Sequence, residues 1–151
     1  MLATSVRNFN IIATTVDESI GCAFDKVSRM LNLSWKGLGP GAALEKFCAE
    51  NDNGHILPEM KPLPRPMPRQ LAFSYSGLHS GVERFIAHHQ GELDYPTKLA
   101  LARAFQEAAV AQLEEKITLG LKLCAREGHQ IGHLVVSGGV ASNNFLRERL
   151  V

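Results

Sequence analysis

The sequence has few features of secreted, membrane or uniformly basic proteins. Its only cysteines, Cys22, Cys48 and Cys124, form no C-x-x-C pair, so we expect reduced thiols and no disulfide or zinc framework. No apolar run approaches the roughly 18 residues of a membrane span, and no membrane contact is expected. The net charge of +1 excludes a uniformly basic surface but permits a local basic patch. Residues 1–12 are too short and too strand-like for a presequence.

Common catalytic and metal-binding motifs are also missing. The chain has no G-x-S-x-G and no Walker loop, and no residue is predicted to be catalytic. His129 and His133 have the H-x-x-x-H spacing that places two imidazoles on one face of a helix. Gly128 and Gly132 interrupt any helix there, so we predict no metal site in this chain.

The remaining composition is typical of one globular domain with a real core: 151 residues, 45% hydrophobic and 21% charged. Strands are expected at 2–6, 9–14, 71–75 and 134–136, and helices at 15–33, 42–50, 76–89, 94–126 and from 142 onward. The alternation of strands and helices predicts an α/β fold. Residues 51–70 hold five of the seven prolines, and an extended surface loop is favoured there over RNA contact.

The stretch from Gly132 to Leu150 is the most informative. An apolar run at 134–136 predicts a buried strand, and Gly138 and Gly139 predict a turn. The helix N-cap that follows is expected at Ser142, Asn143 or Asn144. Glycines without a Cβ allow a ligand close to the backbone, and the helix N-terminus offers free N–H groups. A nucleotide fits such a crevice, although Gly-Gly turns are also common without a ligand.

A second candidate element is the carboxylate of Asp25, followed by the glycine-rich loop at 37–41. A carboxylate near such a loop can hold a ribose hydroxyl or another polar substrate group. On spacing alone, a solvated helix face is the favoured explanation.

Five motifs in order resemble those of one family, the tRNA N6-adenosine threonylcarbamoyltransferases, formerly named O-sialoglycoprotein endopeptidases or glycoproteases. The matching segments are TTVDESIGCAFDKVSRMLNL (14–33), GPGAALEKF (39–47), LAFSYSGLHSGVERFI (71–86), AFQEAAVAQLEEK (104–116) and SGGVASNNFLR (137–147). Together they cover nearly the whole chain, so residues 1–151 are expected to be a partial domain of that family. No nucleophile–base pair supports the old peptidase name.

The resemblance implies the actin-like fold of sugar kinases and the Hsp70 ATPase, with two α/β lobes around a nucleotide. It implies transfer of threonylcarbamoyl from threonylcarbamoyl-AMP to N6 of the adenine beside the anticodon, in tRNAs reading ANN codons. One divalent metal ion and threonylcarbamoyl-AMP, or another adenine nucleotide, are the expected ligands. Expected partners are tRNA, the enzyme that supplies threonylcarbamoyl-AMP and a second copy of the chain.

The resemblance also implies a set of substrate-binding residues. Asp25 matches an aspartate at the sugar of the adenylate, and Asn143 matches an asparagine at the adenine. Gly138 and Gly139 match the turn beneath the nucleotide. Gly41, with Gly39 as the alternative, matches a loop glycine. Two further members of the matched motifs complete the set: Lys26 and Glu45.

Some positions depart from the family pattern. Cys22 stands where the family usually has Glu, and the loop between Leu33 and Glu45 is longer than usual. The family's two metal histidines and its S-G-G-H phosphate loop would lie before Met1, and its final metal ligand, an aspartate, after Val151. We therefore expect a fragment, mainly the second lobe, truncated at both ends and without the metal ligands.

Alternatives to this function remain open. The chain could be a truncated, non-catalytic module that binds a nucleotide or a partner. A small-molecule kinase of the same superfamily is disfavoured by the FDK and SGGVASN motifs. The segments ATTVDESIG and LGPGAALEKFC resemble the sequences of the organellar, fungal-type branch of the family. This resemblance implies a mitochondrial location, with the cytoplasm as the alternative.

Overall fold

Helices form most of the regular structure in the computed structural model, which describes residues 1–150. The helices are α1 (Ile20–Met30), α2 (Pro40–Cys48), α3 (Ser76–His88), α4 (Tyr95–Arg126) and α5 (Asn144–Arg149), with one 3-10 turn at Gly139–Ser142. The strands are β1 (Leu2–Ser5), β2 (Asn8–Asn10), β3 (Thr14–Thr15) and β4 (Ala72–Phe73). Within residues 1–150, no helix is both long and apolar enough to cross a membrane.

The strands form two small sheets. β1 and β2 pair in antiparallel fashion around a turn at residues 6–7, which confirms the predicted strand pair with a shorter second strand. β3 and β4 pair in parallel, with Thr14 opposite Ala72 and Thr15 opposite Phe73. This parallel bridge joins two segments almost 60 residues apart and brings the start of α1 next to the start of α3.

The predicted start of α1 at residue 15, where Thr15 to Glu18 match the S/T-x-x-E capping box, is wrong. The helix begins at Ile20, and Ser19 is its N-cap, accepting a hydrogen bond from the Cys22 backbone N–H. Thr15 is unavailable because it lies in β3. The Asp17 carboxylate instead accepts hydrogen bonds from residues 74–76, including the Ser74 hydroxyl at 2.6 Å. A long-range contact therefore overrides a local helix signal.

α4 is the central element of the core. Asp94 caps it by accepting from the Thr97 N–H, and Gly128, with φ +80°, follows its end, as the sequence predicts. Phe105 is fully buried and meets Phe24 of α1 edge to face, with ring centroids 5.1 Å apart. Apolar residues at helical spacing are buried from Leu99 to Ala109, but Leu121, further along the same helix, is exposed.

The proline-rich segment at 51–70 has no helix or strand, as predicted. It runs across α3 and α4. A Cβ on Gly81 would lie 3.2 Å from Pro64 Cδ, so the glycine allows the proline to pack closely. On α4, the buried Lys116 ammonium donates to the Met67 carbonyl at 2.6 Å. The second half of the segment is therefore held against α3 and α4 by these contacts.

The predicted buried strand at 134–136 is wrong. Residues 129–137 have no regular structure, and Leu134, Val135 and Val136 are 52%, 85% and 46% exposed. A strand needs a neighbouring strand to satisfy its backbone groups, and none within residues 1–150 pairs with this segment. The following turn and helix do form as predicted, with Asn143 capping α5.

Candidate nucleotide-binding cavity

A cavity of about 570 Å³ lies between the start of α1, the start of α2 and the segment 137–143, which we call the glycine wall. Its volume lies within the roughly 300–1,000 Å³ of small-molecule sites. Seven of the eight residues predicted from the resemblance line it: Asp25, Gly39, Gly41, Glu45, Gly138, Gly139 and Asn143. Residues from three distant parts of the sequence therefore meet at one site.

Asp25 is positioned by the N-terminus of α2. Its Oδ1 accepts a hydrogen bond from the Gly41 backbone N–H at 2.9 Å. A Cβ on Gly41 would lie only 3.2 Å from that oxygen, so the missing side chain permits the contact. Within residues 1–150, Oδ2 of Asp25 has no hydrogen-bond donor, and this oxygen remains available to a ligand hydroxyl.

The glycine wall presents bare backbone to the cavity. Gly138 has φ +95°, a conformation that residues with a side chain rarely adopt. A Cβ on Gly138 or Gly139 would meet nothing within 4 Å, so the open space beside both residues could hold part of a ligand. The open space beside these two glycines would allow a ligand to approach the main chain closely.

Asn143 contributes both to the fold and to the cavity. The residue is only 5% exposed, and its Oδ1 accepts from the Leu146 N–H at 2.9 Å, which caps α5. This use of the oxygen leaves the Nδ2 amide without an acceptor among the described residues. The amide is therefore a candidate hydrogen-bond donor to a ligand.

Glu45 connects α2 to the glycine wall. Its Oε1 accepts from the backbone N–H of Asn144 at 2.7 Å, a contact between residues 99 positions apart. The carboxylate thus satisfies a free N–H at the start of α5. This contact fixes the distance between two sides of the cavity, which is a positioning role.

Lys26 is the predicted residue that the structure does not place at the cavity. Its ammonium pairs with Glu18, whose other carboxylate oxygen contacts His79. Neighbours on a helix point about 100° apart, so Asp25 and Lys26 face different surroundings. The expectation that Lys26 binds substrate receives no support from this geometry. Gly39, the alternative to Gly41, is the N-cap of α2 and lines the cavity.

Sequence reasoning missed the apolar walls. Ile20, Phe24 and Val140 line the cavity together with Ser19 and Gly21. A Cβ on Gly21 would lie 3.5 Å from Val140 Cγ2, so α1 and the glycine wall approach closely at this point. The apolar side chains suit a flat aromatic base, whereas the polar groups described above suit a sugar and a phosphate.

Comparisons with known proteins show which family the sequence matches. The family model of tRNA N6-adenosine threonylcarbamoyltransferase matches residues 1–151. The protein of that name from Chromobacterium violaceum is 37% identical over 155 residues, covering 99% of this chain and 42% of that protein. The one from Paramagnetospirillum magneticum is 34% identical, covering 97% and 40%. A probable mitochondrial form from Arabidopsis thaliana is 32% identical, covering 99% and 32%.

This chain spans about two fifths of the length of the bacterial relatives. The match nevertheless runs from its first residue to its last, and it includes every segment that forms the cavity. The chain belongs to the tRNA N6-adenosine threonylcarbamoyltransferase family and has part of the actin-like, sugar-kinase α/β fold of that family.

Proposed function

We propose that this chain forms the nucleotide-binding part of a tRNA-modifying transferase. The whole protein would transfer threonylcarbamoyl from threonylcarbamoyl-AMP to N6 of the adenine beside the anticodon, in tRNAs reading ANN codons. The observation that carries this proposal is the meeting of Asp25, Gly41, Gly138 and Asn143 around one cavity. The names of the relatives support the same activity.

Each group has a specific part in binding the adenylate. The free Oδ2 of Asp25 accepts a hydrogen bond from a ribose hydroxyl, while Gly41 holds the other oxygen in place. The backbone of Gly138 and Gly139 lies beneath the phosphate. Nδ2 of Asn143 donates to a ring nitrogen of the adenine, whose faces contact the apolar walls.

The reaction itself is a nucleophilic acyl substitution. The N6 amine attacks the carbamoyl carbonyl carbon, an N–C bond forms, the C–O bond to the phosphate breaks, and AMP leaves while N6 loses a proton. The residues of this chain bind and orient the adenylate, so their contribution is one of proximity and electrostatics.

The described residues do not fit the divalent metal that the family implies. Among residues 1–150, no group of three or more His, Cys, Asp or Glu side chains could hold a metal ion. The two carboxylates at the cavity, Asp25 and Glu45, each already accept a backbone hydrogen bond. No step is therefore assigned to a metal bound by this chain.

The location and partners extend the proposal. A mitochondrial location is supported by the plant relative named as mitochondrial, and the bacterial relatives keep the cytoplasm as the alternative. The partners we propose are tRNA, the enzyme that makes threonylcarbamoyl-AMP and a second copy of the protein.

Calorimetric titration of the chain with AMP tests the cavity. Asn143→Ser keeps an oxygen that can cap α5 but removes the amide donor. Loss of one hydrogen bond worth about 0.5–1.5 kcal/mol predicts affinity that is weaker by about 2- to 12-fold. Asn144→Ser is the matched control, because this exposed neighbour does not line the cavity. Equal affinities in both variants would refute the placement of the adenine at Asn143.

Binding of AMP without transfer activity would favour the alternative, a non-catalytic nucleotide-binding module. The discriminating assay uses the longest natural form of the protein with threonylcarbamoyl-AMP and unmodified tRNA. Formation of threonylcarbamoyl-adenosine in the RNA supports the transferase. Its absence, with AMP binding intact, supports the module.

A further inference from the structure

A second, smaller cavity lies on the opposite side of α2 from the nucleotide-binding cavity. It measures about 300 Å³ and is formed by the loop between α1 and α2, the outer face of α2 and the start of α4. Its floor is apolar, and its rim carries three lysines, Lys36, Lys46 and Lys98, against a single carboxylate, Glu50. A chain with a net charge of only +1 thus concentrates positive charge at this site.

The loop displays the only tryptophan of the chain at the edge of this cavity. Trp35 is 38% exposed although it is large and apolar. The guanidinium of Arg29 lies 5.6 Å from the ring centroid, which orients the indole through a cation–π contact. One side of the ring is thus supported by a cation while much of its surface remains open.

The backbone of the loop is strained where it presents these side chains. The Leu38 N–H donates to the Trp35 carbonyl at 2.8 Å and closes a tight turn. Both central residues, Lys36 and Gly37, have positive φ, +46° and +83°. This is the pattern of a type I′ turn, which favours Asn or Gly at the position that Lys36 occupies. A lysine kept in an unfavourable conformation at the tip of a loop is typical of a functional site.

The acidic group at the rim keeps its charge but already has a hydrogen-bond partner in the protein. The Glu50 carboxylate accepts from the Tyr95 hydroxyl at 2.9 Å, and Lys98 lies 3.7 Å from the exposed Glu92. Within residues 1–150, Lys46 forms no ion pair. Lys36 and Lys46 therefore remain available to an anion.

We propose that Trp35, Lys36 and Lys46 form a binding surface for an unpaired stretch of RNA. A base stacks on the exposed indole, and the lysines contact flanking phosphates. Stacking on an aromatic side chain beside a cationic rim is the general chemistry of single-stranded nucleic-acid binding. The inference rests on the proposed function, because tRNA is the RNA that the transferase would hold. A free nucleotide has the same chemistry, and the test separates the two.

The single tryptophan makes the surface directly observable. The 151-residue chain is titrated with an unmodified anticodon stem–loop RNA carrying an ANN-reading anticodon, while the Trp35 fluorescence is recorded. Stacking is expected to quench the emission and to shield it from acrylamide. AMP at the same nucleotide concentration should leave the emission unchanged. Equal quenching by AMP would overturn RNA as the ligand, and an unquenched signal with bound RNA would overturn the surface.

Two variants and a matched control test the contacts by fluorescence anisotropy of labelled RNA. Loss of the stacking contact in Trp35→Leu should weaken binding by about 5- to 150-fold. Lys46→Gln should lower the slope of log affinity against log salt by about 0.7. Lys122→Gln, another exposed helix lysine without an ion pair in residues 1–150, should leave both unchanged. Equal effects of the two lysine variants would refute a local contact.

AMP binding to the nucleotide cavity separates this inference from the proposed function. Trp35→Leu and Lys46→Gln should bind AMP as the natural chain does, since neither residue lines that cavity. Normal AMP binding with no RNA binding would overturn the surface and leave the nucleotide site intact. RNA binding that depends on Trp35, without any AMP binding, would overturn the nucleotide site alone.

Discussion

The buried side chain of Gln112 offers a sharp test of how the fold is held together. Gln112 lies on α4, is fully buried and makes two hydrogen bonds to the backbone of Ser74. Its Oε1 accepts from the Ser74 N–H at 3.0 Å, and its Nε2 donates to the Ser74 carbonyl at 3.2 Å. The side chain therefore takes the place of a neighbouring strand at the end of β4. Gln112→Leu keeps the side-chain size but removes both bonds.

The size of the effect follows from the groups left unpaired. Each buried backbone group without a partner costs about 1–3 kcal/mol. Two such groups give about 2–6 kcal/mol, and the removal of a buried amide offsets part of this cost. We expect the free energy of unfolding to fall by about 2–4 kcal/mol, a large share of the roughly 5–15 kcal/mol of a typical domain.

Urea denaturation followed by circular dichroism measures this difference. With a denaturant slope of about 2 kcal/mol per molar, the midpoint should fall by about 1–2 M. The matched control is Gln106→Leu on the same helix, because Gln106 is also buried and its Oε1 has no partner among the described residues. That variant should be neutral or stabilised by up to about 1 kcal/mol. Equal destabilisation of both variants would refute the role of the hydrogen bonds to Ser74.

Two further predictions concern Asp17 and Gly41. Burial tends to raise the pKa of Asp17, but hydrogen bonds from residues 74–76 outweigh it and hold the pKa below its usual range. The ionised carboxylate should therefore stabilise the folded state fully above about pH 4, and this stabilisation should decline at lower pH. Urea midpoints compared at pH 3 and pH 6 should show a smaller loss for Asp17→Asn than for the natural chain, and an equal loss would count against these contacts. Gly41→Ala should displace the Asp25 carboxylate and weaken AMP binding, because the added carbon would lie 3.2 Å from Oδ1. Gly132→Ala, whose added carbon meets nothing within 4 Å and which does not line the cavity, should bind AMP normally in the same calorimetric titration; equal binding by both would refute the steric argument.

Local signals predicted those elements whose ends are set by their own residues. Asp94 caps α4 and Asn143 caps α5 through their own side chains, in keeping with the preference for such residues at helix starts. For α5 the sequence indicates the region but not which of residues 142–144 is the cap. The capping box at Thr15 has an equally strong local signal, yet it fails. Its residues are used in the parallel pairing with β4 and in the contacts of Asp17 with residues 74–76. Sequence patterns contain no information on which of these uses is preferred.

Local patterns indicated the Gly138–Gly139 turn and the Asp25 carboxylate as separate candidates, and only the resemblance placed them in one site. Composition and spacing could not bring Asp25 to Gly41, or Glu45 to Asn144 at a separation of 99 residues. The same limit applies to the predicted strand at 134–136, because a strand depends on a partner that its own residues do not specify. Lys26 came from the same matched motif, but its ammonium pairs with Glu18 and does not line the cavity.

The position of α2 connects the two proposed sites. Residues four positions apart lie on one face of a helix, so Gly41 and Glu45 both face the nucleotide cavity. Ala43, Lys46 and Phe47 face the second cavity. Because one short helix forms a wall of each site, a shift of α2 that reshapes one cavity also moves the residues of the other.

The helix that follows the glycine wall, α5, is held to α4 by ion pairs. Arg149 of α5 pairs with Glu107 and Glu114 of α4, with nitrogen–oxygen distances of 2.7 and 2.6 Å. The Glu45 contact to Asn144 is then the main polar link between this end of the chain and α2. Glu45 therefore sets the spacing between α2 and the glycine wall, which are two sides of the nucleotide-binding cavity.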